Sequence, residues 1–330
     1  MTATPQTIAA APDVLSELLQ AVRLTGSVFM NGRFSEPFGV ISPARWDAQT
    51  HLARMRHVSV FHLIAEGACL LQTADGSIRE VGKGDLLLLP FTAEHRFWRG
   101  APDSFGFAPD LMQEGAVRGV GLIDHGGGGR TTRFVCGFLE SAELMSAPLF
   151  RSLPPLLIER TGDDPVSDLL AVTVAAILEQ VDNAAPGTHM VLGRMMELLF
   201  LEVLRRHAAR LPADASGILA AMRDPVVARA IHHLHREPAR KWTIEDLAAE
   251  AGASRTVLAQ RFNQLVGKPP IEYLTGWRIQ LAAERLRSSH EPLARTAEAV
   301  GYESEAAFSR AFKRELGQSP GAWRAACSEA

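Results

Sequence analysis

Apolar positions along the chain alternate between a helical and a strand period. Val14, Leu15, Leu18, Leu19 and Val22 recur at helical spacing, with Asp13 placed to cap, and predict a helix over residues 13–24. From about Val28 to Leu139 the pattern breaks into short β-type runs separated by Gly, Pro and Asp. Val58 to Ile64, Ala68 to Gln72, Ile78 to Val81, Leu86 to Leu89 and Phe134 to Phe138 are the clearest, and together they predict a sandwich or barrel. Gly126 to Gly129 reads as a hairpin loop, because four glycines without a following helix make a poor phosphate cradle. Two long helical patterns follow, Pro165 to Val181 and Thr188 to Arg210. The second carries Met190, Val191, Met195, Leu198, Leu199, Leu201, Val203 and Leu204, more apolar surface than one domain face needs. It predicts either a buried interdomain helix or, over residues 186–210, one shared with a second subunit. Leu211 to Gly217 reads as a linker, and a helical tail begins near Asp224 and Pro225.

That tail contains one small device twice. Phe262, Gly267, Pro270 and Tyr273 return fifty positions later as Phe312, Gly317, Pro320 and Trp323. Upstream of each Phe lie a short apolar helix, a glycine (Gly252, Gly301) and a serine (Ser254, Ser304) that opens a second helix. In the first copy Thr243 and Asp246 form a capping box, and Ile244, Leu247, Ala248 and Ala251 mark the buried stripe. Val257, Leu258, Phe262 and Leu265 are expected inward, leaving Arg255, Thr256, Ala259, Gln260 and Asn263 outward. The second copy starts with Pro292 in the first turn of its helix. Its glycine turn is one residue longer; Phe308, Ala311, Phe312 and Leu316 point inward, and Glu305, Ala306, Ser309, Arg310 and Lys313 outward. A helix over 271–288 would hold the copies about one DNA turn, ~34 Å, apart on one face of a duplex. Helix pairs of this size suit the placing of one helix in a major groove.

Composition adds limits. The chain has 330 residues, 47% apolar and 22% charged, with three cysteines, which fits a soluble protein of two or three domains in a reducing compartment. No run approaches the length of a membrane span, and residues 1–11 lack the basic start and apolar core of a signal peptide, so a cytoplasmic location is expected. The net charge of −3 hides an asymmetry: from Met222 onward there are 16 Lys and Arg against 13 Asp and Glu, and before it 18 against 24. A mildly positive tail permits DNA binding through placed arginines without establishing it.

The stretch Ala299-Val-Gly-Tyr-Glu-Ser-Glu-Ala-Ala-Phe-Ser-Arg-Ala-Phe-Lys-Arg314, followed by Gly317-Gln-Ser-Pro-Gly-Ala-Trp-Arg324, resembles the signature of the AraC/XylS family of bacterial transcription regulators. The resemblance spans about Met222 to Cys327. It implies that both second helices enter adjacent major grooves, with readers at Thr256, Ala259 and Gln260, and at Ala306, Ser309 and Arg310. Ala259 and Ala306 cannot hydrogen-bond a base, and Glu305 would face a polyanion.

In the front half, Gly84-Asp85-Leu-Leu-Leu-Leu-Pro-Phe-Thr-Ala-Glu-His95 has the spacing of the second cupin motif, with Thr92 where glycine is usual. Phe61-His62-Leu-Ile-Ala-Glu66-Gly67 lies on the first, with Val60 in place of its other histidine. This region resembles the cupin-type sensor domain common at the front of such regulators, and it includes Cys136. His62, His95, Cys69 and Cys136 admit three readings: a zinc or iron site, with His62, His95 and Cys136 as its core; a thiol that senses oxidants or electrophiles; or buried structural residues. The odd offset between His62 and Cys69 opposes a shared site unless Gly67 ends the strand between them. Cys327, by the terminus, is expected to be inert.

These patterns predict an α+β chain of two domains: an N-terminal cupin-like β-barrel with flanking helices, and a C-terminal all-α domain with two helix-turn-helix motifs. The expected divisions are 1–145 for effector sensing, 146–221 for a helical linker and dimerisation region, and 222–330 for DNA binding. The expected function is a sequence-specific, homodimeric activator of transcription that binds double-stranded promoter DNA and engages RNA polymerase. Its signal would be a small-molecule or redox effector, with no membrane partner. The alternatives are a constitutive repressor or architectural protein whose barrel only dimerises and, more remotely, a cupin enzyme fused to a DNA-binding tail. The enzyme reading lacks a facial ligand set and a nucleophile elbow.

Overall fold

The computed structural model of the chain describes residues 13–21, 24–44, 58–141, 149–150, 152–162 and 168–328. It divides into two compact units, one drawn from Arg23–Glu143 and Leu153–Arg210, the other from Met1–Val22, Leu144–Ser152 and Leu211–Ala330. The described strands are β1 (Leu24–Ser35), β2 (Phe38–Ser42), β3 (Val58–Glu66), β4 (Ala68–Gln72), β5 (Ile78–Gly82), β6 (Asp85–Leu89), β7 (His95–Arg99), β8 (Gly106–Phe107), β9 (Gln113–Glu114), β10 (Gly121–Gly126), β11 (Thr131–Ser141) and β12 (Leu157–Arg160). The described helices are α1 (Val14–Ala21), α2 (Ala108–Leu111), α3 (Leu169–Asp182), α4 (Thr188–Arg210), α5 (Ile218–Ala221), α6 (Pro225–Arg236), α7 (Ile244–Glu250), α8 (Arg255–Val266), α9 (Pro270–Ser288), α10 (Leu293–Ala299), α11 (Glu305–Leu316) and α12 (Pro320–Ser328).

The first unit is β-rich and cupin-like. Its strands form a sheet in the order β12-β6-β3-β11-β1-β10-β9 and a second in the order β5-β4-β7-β2-β8. Side chains from both sheets close one core, with Phe34, Val60, Ile64, Phe134 and Phe138 from the larger and Phe38, Val40, Leu71 and Phe97 from the smaller. Helix α4 covers the outer face of the larger sheet. Every residue of β3 but the last is therefore buried, and its sequence reads as a continuous apolar run rather than an alternation. Val58, Val60 and Ile64 enter the core between the sheets, while Phe61 meets Phe200 of α4 edge-on at 6.4 Å.

Helix α4 comes close because the contact is made of glycine. A β-carbon on Gly26 of β1 would lie 2.5 Å from the carbonyl oxygen of Gly193, and one on Gly193 would lie 2.7 Å from that of Gly26. Leu192, Met196, Leu199, Phe200 and Val203 form the buried side of α4, and Met190, Val191 and Leu198 remain exposed on the other. Charged groups tie the helices to the sheets: Arg133 of β11 holds Asp182 at the end of α3, and Arg210 pairs with the buried Glu159 of β12.

The second unit is all-helical. Its two copies of the device share the spacer α9, which gives Tyr273, Leu274 and Trp277 to the first and Ile279, Ala282, Ala283 and Leu286 to the second. The capping box at Thr243 and Asp246 is formed. Helix α1 belongs to this unit, where the Glu17 carboxylate pairs with His232 of α6.

Several expectations need correction. Leu24 opens β1 instead of ending the first helix; residues 22–23 lie outside the described residues. The helix expected from Pro165 starts at Leu169 behind Asp168, whose carboxylate accepts from Leu170 and Ala171; residues 163–167 lie outside the described residues. Gly126 to Gly129 is not a hairpin, because β10 and β11 lie on either side of β1, parallel and antiparallel to it. The loop instead bonds the turn after β1, Gly127 N–H to Ser35 and Pro37 and Gly129 N–H to Glu36. Pro292 caps α10 from outside rather than sitting in its first turn. The stretch expected as a linker docks on the reader, with Gly217 N–H donating to the carbonyl of Leu265 at 2.7 Å and Arg223 to that of Leu211.

Candidate functional site

The two reading helices are built alike. Both α8 and α11 have twelve residues. Each opens on a serine whose hydroxyl accepts a backbone N–H from the third residue on: Ser254 from Val257 at 3.3 Å, and Ser304 from Ala307 at 3.2 Å. Each closes on a left-handed glycine, Gly267 or Gly317. Leu258 and Phe262 anchor the first, and Phe308, Ala311 and Phe312 the second.

Helical period then decides what faces out. Arg255, Thr256, Ala259, Gln260 and Asn263 are all exposed, as are Glu305, Ala306, Arg310 and Lys313, while Ser309 is half-buried. Among the described residues the side chains of Thr256, Gln260, Asn263, Ser309, Arg310 and Lys313 make no hydrogen bond or ion pair within the protein, so their donors and acceptors are available to a ligand. Arg255 is held by Glu245 at 2.9 Å, with both groups exposed, a pairing that a phosphate can replace at little cost. Val257, expected inward, is 38% exposed and adds an apolar contact to the outward face. Two arginines beneath the readers carried no signal in the local pattern. Arg229 of α6 donates twice to the Ala251 carbonyl at the first glycine turn, and Arg278 of α9 donates to Pro238 and Arg240. Their acceptors lie 22 to 40 residues away in sequence.

In the β unit, His62, His95 and Cys136 come together and Cys69 does not join them. His62 of β3 stands directly opposite Cys136 of β11, and His95 opens β7 in the other sheet. His62 Nδ1 is 2.7 Å from Cys136 Sγ, His62 Nε2 is 2.8 Å from His95 Nε2, and His95 Nδ1 is 2.8 Å from the Ala93 carbonyl oxygen. The partners assign the protons. A carbonyl only accepts, so His95 Nδ1 carries hydrogen and, in a neutral ring, Nε2 accepts. His62 Nε2–H then donates to His95, His62 Nδ1 accepts, and the Cys136 S–H donates to it. The result is a one-directional chain across the core from one sheet to the other.

Burial keeps every member uncharged. It pushes His62 well below the ordinary histidine range, with the adjacent His95 adding to the effect. It takes His95 down to about 4 against the opposing pull of the Ala93 carbonyl and Glu94. The Cys136 thiol is pushed well above its usual value by the same loss of water, and Cys69 up to about 12 despite Arg99 nearby. Both thiols are therefore protonated at neutral pH, and neither is the exposed thiolate that fast oxidation favours.

These residues do not fit a single zinc or iron ion. The two nitrogens of His62 point in opposite directions, one to Cys136 and the other to His95, so one ion cannot take all three ligands. A separation of 2.8 Å is also too short for an ion with bonds of about 2.0 Å at a tetrahedral angle. Cys69 lies in β4 opposite Val81, beyond the turn at Gly67, and Glu66 is exposed. Among the described residues no group of three or more His, Cys, Asp or Glu side chains forms a metal-type cluster.

Beside the chain lies an apolar cavity of about 20 Å³, lined by Phe29, Met30, Phe34, Val40, Phe97 and Phe134, with His62, Cys136 and Ser42 in its wall. It has room for about one water. No helix among the described residues is long and apolar enough to cross a membrane.

A cupin family model matches residues 13–209, and a helix-turn-helix domain model matches residues 247–326. The chain is similar to an AraC-like transcription regulator of Streptomyces antibioticus, 35% identical across 94% of this chain and 97% of the other. It is also 28% identical to the transcriptional regulator AlkR of Acinetobacter baylyi, over 80% of this chain and 87% of that one. The RCS-specific transcriptional activator RclR of Escherichia coli is 28% identical over 80% of this chain and 83% of its own length.

Proposed function

The chain belongs to the AraC-type DNA-binding transcription regulators, with a cupin domain ahead of the reader, and on that premise we propose a sequence-specific activator switched from the barrel. The observation that carries the DNA reading is the pair of equivalent helices, α8 and α11, on which Thr256, Gln260, Asn263, Ser309, Arg310 and Lys313 have no side-chain partner among the described residues and Arg255 has only an exposed one. Helix α8 reads bases through Thr256 and Gln260, with Asn263 beside them and Arg255 on a phosphate; Ala259 and Val257 supply apolar contact suited to a thymine methyl. Helix α11 acts more as a clamp, through Arg310, Lys313 and Ser309, with Ala306 close to the groove floor and Glu305 limiting the bases tolerated near it. Acting on chromosomal DNA places the protein in the cytoplasm. Activation implies contact with RNA polymerase, and the name of the RclR relative supports that direction of control.

The effector reading rests on the cavity beside Cys136 and His62. Its apolar walls and the uncharged His62 imidazole select a small neutral molecule, because a charged one would lose its hydration without compensation. Such a molecule, or an oxidant or electrophile that consumes the S–H, breaks the hydrogen-bond chain at its first link. The barrel then shifts between two populations that differ in operator affinity. The exposed stripe of α4 pairs two copies, so that a dimer spans repeated half-sites. A metal cofactor is not part of this reading, since the ligands diverge.

Mobility-shift titration of the promoter fragment upstream of the protein's own gene, at moderate salt with excess random competitor, tests the core of the proposal. A discrete, competitor-resistant complex is expected; a salt-sensitive smear alone would mean phosphate contact without reading. Equal operator affinity with and without oxidant, electrophile or small apolar effectors would favour a constitutive repressor or architectural role instead. That second reading draws support from the complete burial of Cys136.

A further inference from the structure

Between helices α6 and α7 the chain passes through a short strap, residues 237–241, that touches both halves of the reader. Arg278 of the spacer α9 grips it from below, Nε donating to the Pro238 carbonyl at 2.6 Å and Nη2 to that of Arg240 at 2.8 Å. The same guanidinium lies 5.9 Å over the ring of Tyr302, in the glycine turn of the second module. From that turn Gly301 presses on the strap. A β-carbon there would sit 2.6 Å from Ala239 Cα and 2.8 Å from its carbonyl oxygen, and the backbone is left-handed at φ +89°. Lys241 pairs with Glu303 of the same turn. The strap is also stiff in itself, because Arg240 stacks 3.8 Å over Trp242 and the Trp242 indole donates to the Glu237 carbonyl at 3.1 Å.

None of these residues lies on the outward face of a reading helix, and the spacer by itself is a single connection between the modules. The strap adds a second connection, from the entry to the first module to the turn of the other. A body held at two places cannot roll about the axis of the spacer as one held at a single place can.

We propose that Arg278 is a positioning residue that, with Gly301, locks the strap between the two modules and so sets the half-site spacing the reader accepts on DNA. The proposal rests on the two-helix reading given above. One base pair inserted between the contacted segments turns the second by about 35° and moves it about 3.4 Å. A locked reader cannot follow that displacement; a loosened one can.

The test uses the full chain and duplexes that the wild type selects from a random pool. Each is rebuilt in three forms: as selected, with one base pair inserted between the two contacted segments, and with the second segment scrambled. Anisotropy titrations compare the wild type with Arg278→Ala, Arg278→Lys and Gly301→Ala. The wild type should lose about tenfold or more in affinity on insertion. For Arg278→Ala, affinity for the selected form should drop about tenfold and the insertion penalty shrink below about threefold. Its affinity for the scrambled form should stay within about twofold of wild type. Arg278→Lys, with one cation still able to reach a carbonyl, should fall between, and Gly301→Ala should repeat the pattern by a separate route should Arg278→Ala fail to fold. Equal weakening on all three duplexes would make Arg278 a stabiliser of the fold and overturn the proposal, as would a wild type indifferent to the insertion. A wild type that selects no duplex overturns the DNA reading itself, a result distinct from indifference to spacing.

Discussion

The Nε2 atoms of His62 and His95 stand 2.8 Å apart between the two sheets, and one proton serves both. Burial holds His95 down to about 4 and His62 below the ordinary range, so as pH falls below about 6.5 the unfolded chain takes up protons that the folded chain refuses. The stability associated with neutral His95 is thus complete above pH 6.5 and is lost progressively toward pH 4, about 3 kcal/mol over the window. Urea unfolding at about pH 7.5, 6 and 5 should show falling midpoints. His235 in the reader is held at about 3 by burial and adds a loss of the same sign, so a His62→Gln, His95→Gln variant isolates the barrel by flattening its share. A midpoint independent of pH over this range would contradict neutral rings.

The three cysteines should react in a fixed order. Cys327 is half-buried and near the terminus, whereas Cys69 and Cys136 are buried with raised pKa values. Brief alkylation at neutral pH followed by intact mass measurement should show one modification, on Cys327, and three after denaturation. Rapid labelling of Cys136 in the folded protein would mean that the core opens readily and would strengthen an oxidant-sensing role.

Gln260→Ala should relax preference at one operator position by about 1–3 kcal/mol and leave the others unchanged. Arg255→Ala should weaken all sequences alike. Arg310→Ala and Lys313→Ala should each reduce the salt slope of log affinity by about 1. Glu305→Gln removes a negative charge facing the duplex and should tighten binding. A base-selective loss at Arg255 would contradict its phosphate assignment.

Gly26→Ala should force α4 off the larger sheet, since the new methyl would stand 2.5 Å from the Gly193 carbonyl and 2.8 Å from Met196 Cβ. The expected cost is about 1–3 kcal/mol, read by thermal or urea unfolding of the β unit. An unchanged midpoint would show that α4 slides without penalty.

Leu198 is 38% exposed on the outer side of α4, in line with Val191. Leu198→Arg should raise the concentration at which the protein dimerises by about tenfold or more, measured by sedimentation equilibrium. If that stripe is not the pairing surface, the variant and wild type will sediment alike.

The reader helices were legible in the sequence because local chemistry specifies them: serine opens each, glycine closes each, and the buried Phe recurs at one offset. Val257 was misplaced because it sits at the margin of the buried arc, where period alone does not separate inside from outside. The barrel was less legible. Strand β1, twelve residues with Gly26 and Gly32 inside it, lacks the alternation that marks a half-exposed strand, since sheet neighbours and α4 cover it. The order β11-β1-β10, which turned an expected hairpin into a crossing, is a long-range pairing that no local pattern encodes. Similarly, the spacing of His62, His95 and Cys136 marked them as candidates, but the opposed directions of the His62 nitrogens emerge only when three strands are in place. Arg278 resembles any surface arginine until its carbonyl acceptors, 38 and 40 residues back, fold against it.

Phe61 and His62 are consecutive residues on β3, yet one touches Phe200 of α4 and the other borders the cavity. The strand is a partition one residue thick, with the chamber on one side and the outer helix on the other. Whatever displaces the imidazole pulls on the same backbone that carries the phenyl ring. The chamber and the exposed stripe of α4 are thus separated by a single peptide bond and the width of a helix, so a disturbance on one side of this wall is felt on the other.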